Sequence, residues 1–323
     1  MFGLYFFGTS SGVPTRDRNV SGAAVKLPNS KSWILVDCGE GTQHQIHKSP
    51  LSVMSLKAIC ITHVHGDHCY GLPGLIASNG MLGRKEPLII ISPKGVEDMY
   101  LAVKAATDLH TPFEVIFIET ETIGAYEIDG VTIEAAPLSH RVPSHAFSFT
   151  ATSEKRSLRK NDLLDAGIES GPLWGQLQRG EDVTLADGRV LKSADYTDIE
   201  KSRACVIVAG DNDTPSALAD MAKGTDVLVH EATYTEDVLL KVGPEPQHSS
   251  AKRVAEFAQK VKIPNLILTH FSPRFQRDEN APTHIGQIKT EAECFYTGRL
   301  ALANDHDEFD LLASGELVLK PNQ

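Results

Sequence analysis

No apolar run in these 323 residues approaches the roughly 20 positions that a membrane-spanning helix needs, so no membrane partner is expected. Cysteine is scarce. The five present (Cys38, Cys60, Cys69, Cys205 and Cys294) are odd in number and form no CxxC pair, which argues against a disulfide framework and against thiolate-bound zinc. A reducing cytoplasm is the expected home. Positive charge is in deficit too, with 31 Lys and Arg against 42 Asp and Glu and a net charge of −11. Such a surface repels nucleic acid as a whole, so an RNA ligand would have to be drawn by local basic patches or by bound metal. Low-complexity tracts and short fixed repeats are also missing. The opening MFGLYFFGTS has no basic leader and soon meets Gly, Ser and Pro, so it reads as a first strand rather than a signal peptide.

What is present is concentrated at residues 63 to 68, where His63, Val64, His65, Gly66, Asp67 and His68 place four potential metal ligands in six positions. In an extended segment His63 and His65 share a face, and the turn at Gly66 lets Asp67 and His68 face a neighbouring point. Imidazoles with a carboxylate favour zinc among common metals, and two ions about 3.5 to 4 Å apart can clamp a phosphoryl or carbonyl group.

The same pattern recurs along the chain. Short β-branched and aliphatic runs, read as buried strands, each end in a residue able to bind metal: Ala58 to Ile61 before His63, Val131 to Leu138 before His140, Ala204 to Val208 before Asp211, Val227 to Val229 before His230 and Glu231, and Leu266 to Leu268 before His270. A helical pattern follows Ser249 and Ser250, with Ala251, Val254, Ala255, Ala258 and Val261 on one face. Loops beyond strand ends gather into sites in α/β folds, so one convergent centre is expected. Residues 153–203 break the rhythm with Gly, Asp, Lys and Ser and read as an insertion without a core of its own. Within it Lys155, Arg156, Arg159 and Lys160 crowd together, and PTRDRN carries a second basic pair, Arg16 and Arg18. Short charge runs are usually solvated faces.

Seven longer segments stand out: FGTSSGVPTRDRN at 7–19, DCGEGTQHQ at 37–45, THVHGDHCYGLPGL at 62–75, GPLWGQLQRGEDVTLADGR at 171–189, VHEAT at 229–233, HSS at 248–250 and LTHFSPRF at 268–275. Together they resemble the tRNase Z family (ribonuclease Z, ribonuclease BN) of the metallo-β-lactamase superfamily. The resemblance implies a single αββα domain over 1–323, two mixed β-sheets flanked by helices, with 153–203 as an inserted arm that grips tRNA. It implies two Zn2+ per subunit, with Mn2+, Co2+ or Mg2+ as substitutes: His63, His65 and His140 on one, Asp67, His68 and His270 on the other, Asp211 bridging. Asp67 is the implied general base, and Glu231 with His248 the pair that protonates the leaving O3′. The implied activity is hydrolysis of precursor tRNA just 3′ of the discriminator nucleotide, with 3′ exonuclease trimming in some members, by a homodimer. Arg16, Arg18 and Asn19 either set the 3′ end of the acceptor stem or brace their loop, and the arm's Lys155, Arg156, Arg159 and Lys160 are its RNA-binding candidates.

Two segments depart from the family's pattern, HRVPSHAF at 140–147 and GDNDT at 210–214, and neither removes a ligand. The competing reading is a small-molecule metallohydrolase, such as a lactonase, thioesterase or cyclic phosphodiesterase, on the same metal core. The long Gly-Pro insertion argues against it. A binding protein that has lost catalysis is disfavoured by Asp67, and an iron redox centre by His65, which stands where a carboxylate would be expected. His44, His47, His110, His145, His284 and His306 lack a ligand-like setting.

Overall fold

The computed structural model describes residues 2–321. These fall into two compact units, one of residues up to Thr150 and from Ala204 onward, the other Ala151–Arg203.

The larger unit holds two mixed sheets. In the first, the strands lie in the order Leu317–Leu319, Glu308–Leu311, Gly3–Gly8, Gly22–Lys26, Trp33–Val36, Leu56–Cys60, Leu88–Ser92, Val115–Glu119. In the second the order is Arg299–Leu302, Asn265–Thr269, Val227–Glu231, Thr197–Ala209, Ser144–Leu158, Val131–Leu138, Tyr126–Ile128. Alternation along the strands explains the layering. Tyr5, Phe7, Trp33 and Leu35 pack under the helices Leu72–Met81 and Lys94–Ala106, whereas Leu4, Phe6, Ile34 and Val36 are equally buried on the opposite face. In the second sheet Ile207, Leu228, Leu266 and Leu268 meet the helices Ala251–Lys260 and Gly286–Glu293, leaving Val206, Val208, Val229 and Ile267 for the inner layer. This is the αββα arrangement expected. The helix read after Ser249 and Ser250 spans Ala251–Lys260, with the Ser250 hydroxyl accepting from Arg253 N at 3.3 Å.

Parallel registers align the strand ends. Val208 stands opposite Val229, and Glu231 opposite Thr269, so Asp211, Glu231 and His270 emerge together. Cys60 pairs with Val36, and Asp37 N then donates to Cys60 O at 2.8 Å, carrying Asp37 to the segment that starts His63.

The second unit contains the helices Lys160–Asp165, Pro172–Arg179 and Ser193–Tyr196 and a hairpin pairing Val183–Thr184 with Val190–Leu191. Contrary to the expectation of a coreless insertion, it buries Leu163, Ile168, Leu177, Val183 and Leu191 in a cluster flanked by Leu158 and Trp174. These residues are too widely separated by turns to show as a periodic pattern.

Among the described residues no helix is long and apolar enough to cross a membrane.

Candidate metal centre

Two groups of ligand atoms built from the expected residues form at the aligned strand ends, and a third, overlapping set joins Asp211, His248 and His270. His63 Nε2 and His140 Nε2 approach His65 Nδ1 at 3.1 and 3.2 Å, and both lie 3.7 Å from Asp211 Oδ2. Beside them His68 Nε2 and His270 Nε2 stand 3.3 Å apart, at 3.5 and 3.4 Å from Asp67 Oδ2 and 3.4 and 3.3 Å from Asp211 Oδ1. Asp211 thus turns one oxygen to each group. All seven residues named from the sequence meet here, and each group lies within the span that one cation could bridge.

The outward ring nitrogens fix which lone pairs point inward. His140 Nδ1 donates to Gln247 O at 2.9 Å, because a carbonyl only accepts, and His68 Nδ1 donates to Asp37 Oδ2 at 2.7 Å. Their Nε2 lone pairs therefore face the centre. His63 Nδ1 meets Thr62 Oγ1 and His270 Nδ1 meets Thr233 Oγ1, each at 3.0 Å. Burial pushes His63, His65 and His140 towards the neutral form that ligation requires. Around His68 the charges of Asp211, Asp37 and Asp67 outweigh burial and favour a cationic ring, so a bound metal would take the place of the proton on Nε2 and meet the lone pair there. Converging lone pairs amid surplus negative charge fit a cation, and imidazole with carboxylate suits zinc.

Backbone detail makes the close approach possible. A Cβ on Gly39 would lie 2.2 Å from Asp67 O, so only glycine lets the Asp37 loop pass beneath the cluster. Asp67 is steadied by Gly12 N, which donates to its Oδ2 at 2.8 Å.

Behind Asp211 the Glu231 carboxylate is fully enclosed. It accepts from His248 Nδ1 at 3.1 Å, from Asn212 N at 2.7 Å and from the Thr233 hydroxyl. Burial favours the neutral forms of both partners, but their contact holds the Glu231 carboxyl below its usual range and His248 up at about 9.

The basic candidates are placed unevenly. Arg18 is buried, donating to Thr9 Oγ1 at 2.6 Å, Ala303 O at 2.8 Å and Asn304 Oδ1 at 3.0 Å, so its guanidinium braces the loop. Asn19 N donates to Asp305 Oδ2 at 2.6 Å. Arg16 is exposed, and with His44, Lys48 and Arg277 it lines an open groove of about 560 Å³. In the second unit Arg156 donates to Ser193 Oγ at 3.0 Å, and Arg159 binds Asp195 O and Asp162 Oδ2, the latter at 3.2 Å. Lys155 and Lys160 are exposed. His44, His47 and His110 are exposed, His145 is buried, and His284 and His306 are half-buried, all outside the two ligand groups.

Asp37 and Thr233 carry no role in the sequence reading, and Asn212 enters it only within the departing GDNDT segment. Asp37 carried a usable signal, since it follows the apolar run Trp33–Val36 as the other strand-end ligands do. Thr233 and Asn212 become partners only through the fold.

The chain is 52% identical over 307 residues to the ribonuclease Z of Marinobacter nauticus, covering 95% of each, and 47% identical over 312 residues to that of Pseudomonas putida, covering 97% of each. A family model described as anti-Pycsar protein Apyc1 matches residues 2–162. Among solved structures, human tRNase Z, short form, superposes with a TM-score of 0.62 at 23% identity, covering 95% of this chain and 98% of the other. The metallo-β-lactamase fold protein YhfI of Bacillus subtilis gives 0.65 at 15% identity, covering 95% and 98%. These structural likenesses show the fold.

Proposed function

We propose, because this chain belongs to the ribonuclease Z family, that it is a metal-dependent endoribonuclease acting in tRNA 3′ processing. It hydrolyses precursor tRNA 3′ of the discriminator nucleotide, leaving a 3′-hydroxyl on the tRNA and a 5′-phosphate on the trailer. The observation that carries this reading is the division of Asp211 between two ligand groups. Two zinc ions are the proposed occupants, one held by His63, His65 and His140, the other by Asp67, His68 and His270, with Asp211 shared. When bound, such a pair makes water acidic enough to attack at neutral pH and offsets charge on the phosphate.

The chain's own residues divide the remaining work. Asp67, oriented by Gly12 N, accepts a proton from the attacking water. His248 gives one to the departing O3′, and Glu231 keeps its ring aimed by holding Nδ1. Water is thus added across the P–O3′ bond with no proton left over. Thr233 ties this pair to His270 through one hydroxyl, so the acid and the second ligand group move together.

RNA contact is assigned to Arg16 in its groove, with Arg18 and Asn19 shaping the loop that presents it, and to the 151–203 unit acting as the arm. In that unit Lys155 and Lys160 offer charge to phosphates while Arg156 and Arg159 hold the local fold. Contact by charge and shape suits duplex RNA, whose deep groove hides base identity. A homodimer working in the cytoplasm completes the proposal. Metal analysis combined with cleavage of a 3′-extended precursor tRNA, product ends mapped, tests it: two zinc ions per chain and a cut after the discriminator are expected. An enzyme that hydrolyses lactones or thioesters but leaves the precursor intact overturns it.

A further inference from the structure

Directly after Asp211 the chain places Asn212, fully buried and using every polar atom it has. Its backbone N donates to Glu231 Oε1 at 2.7 Å, and its carbonyl accepts from Ser249 Oγ at 2.6 Å. Its side-chain Oδ1 accepts from Ser139 N and Thr214 N, both at 3.2 Å. Its Nδ2 faces His230 Nε2 at 3.0 Å.

The orientation of that amide is not free. Two backbone N–H groups point at one side-chain atom, which must therefore be the oxygen, so the amide nitrogen is the atom that meets His230. His230, also fully buried, approaches the Glu231 carbonyl through Nδ1 at 2.8 Å, and a carbonyl only accepts. The proton of His230 thus sits on Nδ1, and Nε2 presents a lone pair to Asn212 Nδ2. Each residue dictates the other's hydrogen pattern.

The arrangement joins three parts of the centre. Ser139 immediately precedes His140, Asn212 follows Asp211, and His230 precedes Glu231 on the strand Val227–Glu231. We propose that Asn212 is a positioning residue that holds the His140 turn and the Glu231 strand end in fixed relation to Asp211, through a His230 locked in its Nδ1–H tautomer. The inference rests on the reading that His140 and Glu231 belong to the reaction centre. It concerns how that centre is held, independently of which phosphodiester enters it.

The near-isosteric N212D variant separates this role from simple packing. An aspartate keeps an acceptor for Ser139 N and Thr214 N but offers no N–H to His230, so lone pair would face lone pair unless His230 takes a second proton. The metal-loaded enzyme, labelled with 15N at histidine, is compared as wild type and N212D. Expected are an unprotonated Nε2 signal for His230 in the wild type, its conversion in N212D, and a kcat on bis(p-nitrophenyl) phosphate lower by about 10- to 100-fold with KM little changed, the range for outer partners of metal ligands. A wild-type signal from the Nε2–H tautomer overturns the inference, as does an N212D enzyme with unaltered kcat. If N212D does not fold, H230L and H230Q decide. Leucine should bring the loss, and glutamine, whose Oε1 can accept from Asn212, should recover most of it; equal losses overturn the inference. A wild-type enzyme that turns over the small ester but ignores precursor tRNA overturns the substrate reading alone.

Discussion

His68 donates through Nδ1 to Asp37 Oδ2 at 2.7 Å, and the same carboxylate accepts from Thr62 N at 2.8 Å and Thr62 Oγ1 at 3.0 Å. One buried acid therefore sets a ligand ring and the start of the segment that carries His63. D37N keeps the size and the left-handed backbone at this position (φ 61°) but can turn an N–H toward His68 and reverse its tautomer. Zinc affinity should fall by about 10- to 100-fold in competition with a chromophoric chelator. Wild-type affinity in D37N would remove Asp37 from any orienting role.

The Glu231–His248 pair is assigned to protonation of the leaving oxygen, and that role depends on the substrate. On precursor tRNA, E231Q and H248A should lower kcat by about 10²- to 10⁴-fold with small changes in KM. A nitrophenolate leaves without help, so on bis(p-nitrophenyl) phosphate the loss should stay below about 10-fold. Equal losses on the two substrates would show that the pair does something other than donate a proton.

Ser153 Oγ and Ser202 Oγ lie 2.7 Å apart, which brings the two ends of the 151–203 unit together. Replacing residues 154–201 by a short Gly–Ser turn should abolish precursor cleavage and leave turnover of the small phosphodiester within a few-fold of wild type. In the full chain, K155E with K160E should raise KM for the precursor and flatten its salt dependence. Loss of both activities on deletion would mean that binding and chemistry do not separate as assigned.

Glu308 lies between Lys26 and Lys320, its Oε1 within 2.9 Å of Lys320 Nζ. Burial alone would raise its pKa, but these two ammonium groups outweigh burial and hold the carboxyl below its usual range. A group depressed in the folded state stabilises above its unfolded value of about 4.3 and loses that contribution as pH falls through the folded value. The stability gap between wild type and E308Q, about 1 kcal/mol or less for partly exposed partners, should be full at pH 7 and shrink below about pH 5. Chemical denaturation across that range measures it, and a gap that widens in acid would contradict the assignment.

Much of the centre is readable because its residues share one local rule, an apolar strand followed by His, Asp or Glu. That rule finds the ligands His63, His140, Asp211 and His270, and Glu231 beside them, without knowledge of the fold. It cannot reveal that Thr233 reaches both Glu231 and His270, or that Asn212 meets His230, because these contacts join residues whose proximity depends on strand order. The fate of the arginines was hidden for a similar reason. Arg18 and Arg16 look alike in PTRDRN, yet one is enclosed by Thr9, Ala303 and Asn304 and the other faces a groove. The small core of residues 151–203 is not legible in the sequence because its five apolar side chains come from separate short segments, each contributing one or two and none long enough to show a period.

The two oxygens of Asp211 point to different ligand groups. Both oxygens are already aimed in the folded chain, so on the two-zinc reading neither ion would have to reorient the carboxylate on entry. The same sharing means that damage to this one side chain would weaken both positions at once, whereas loss of any single imidazole would weaken its own position most.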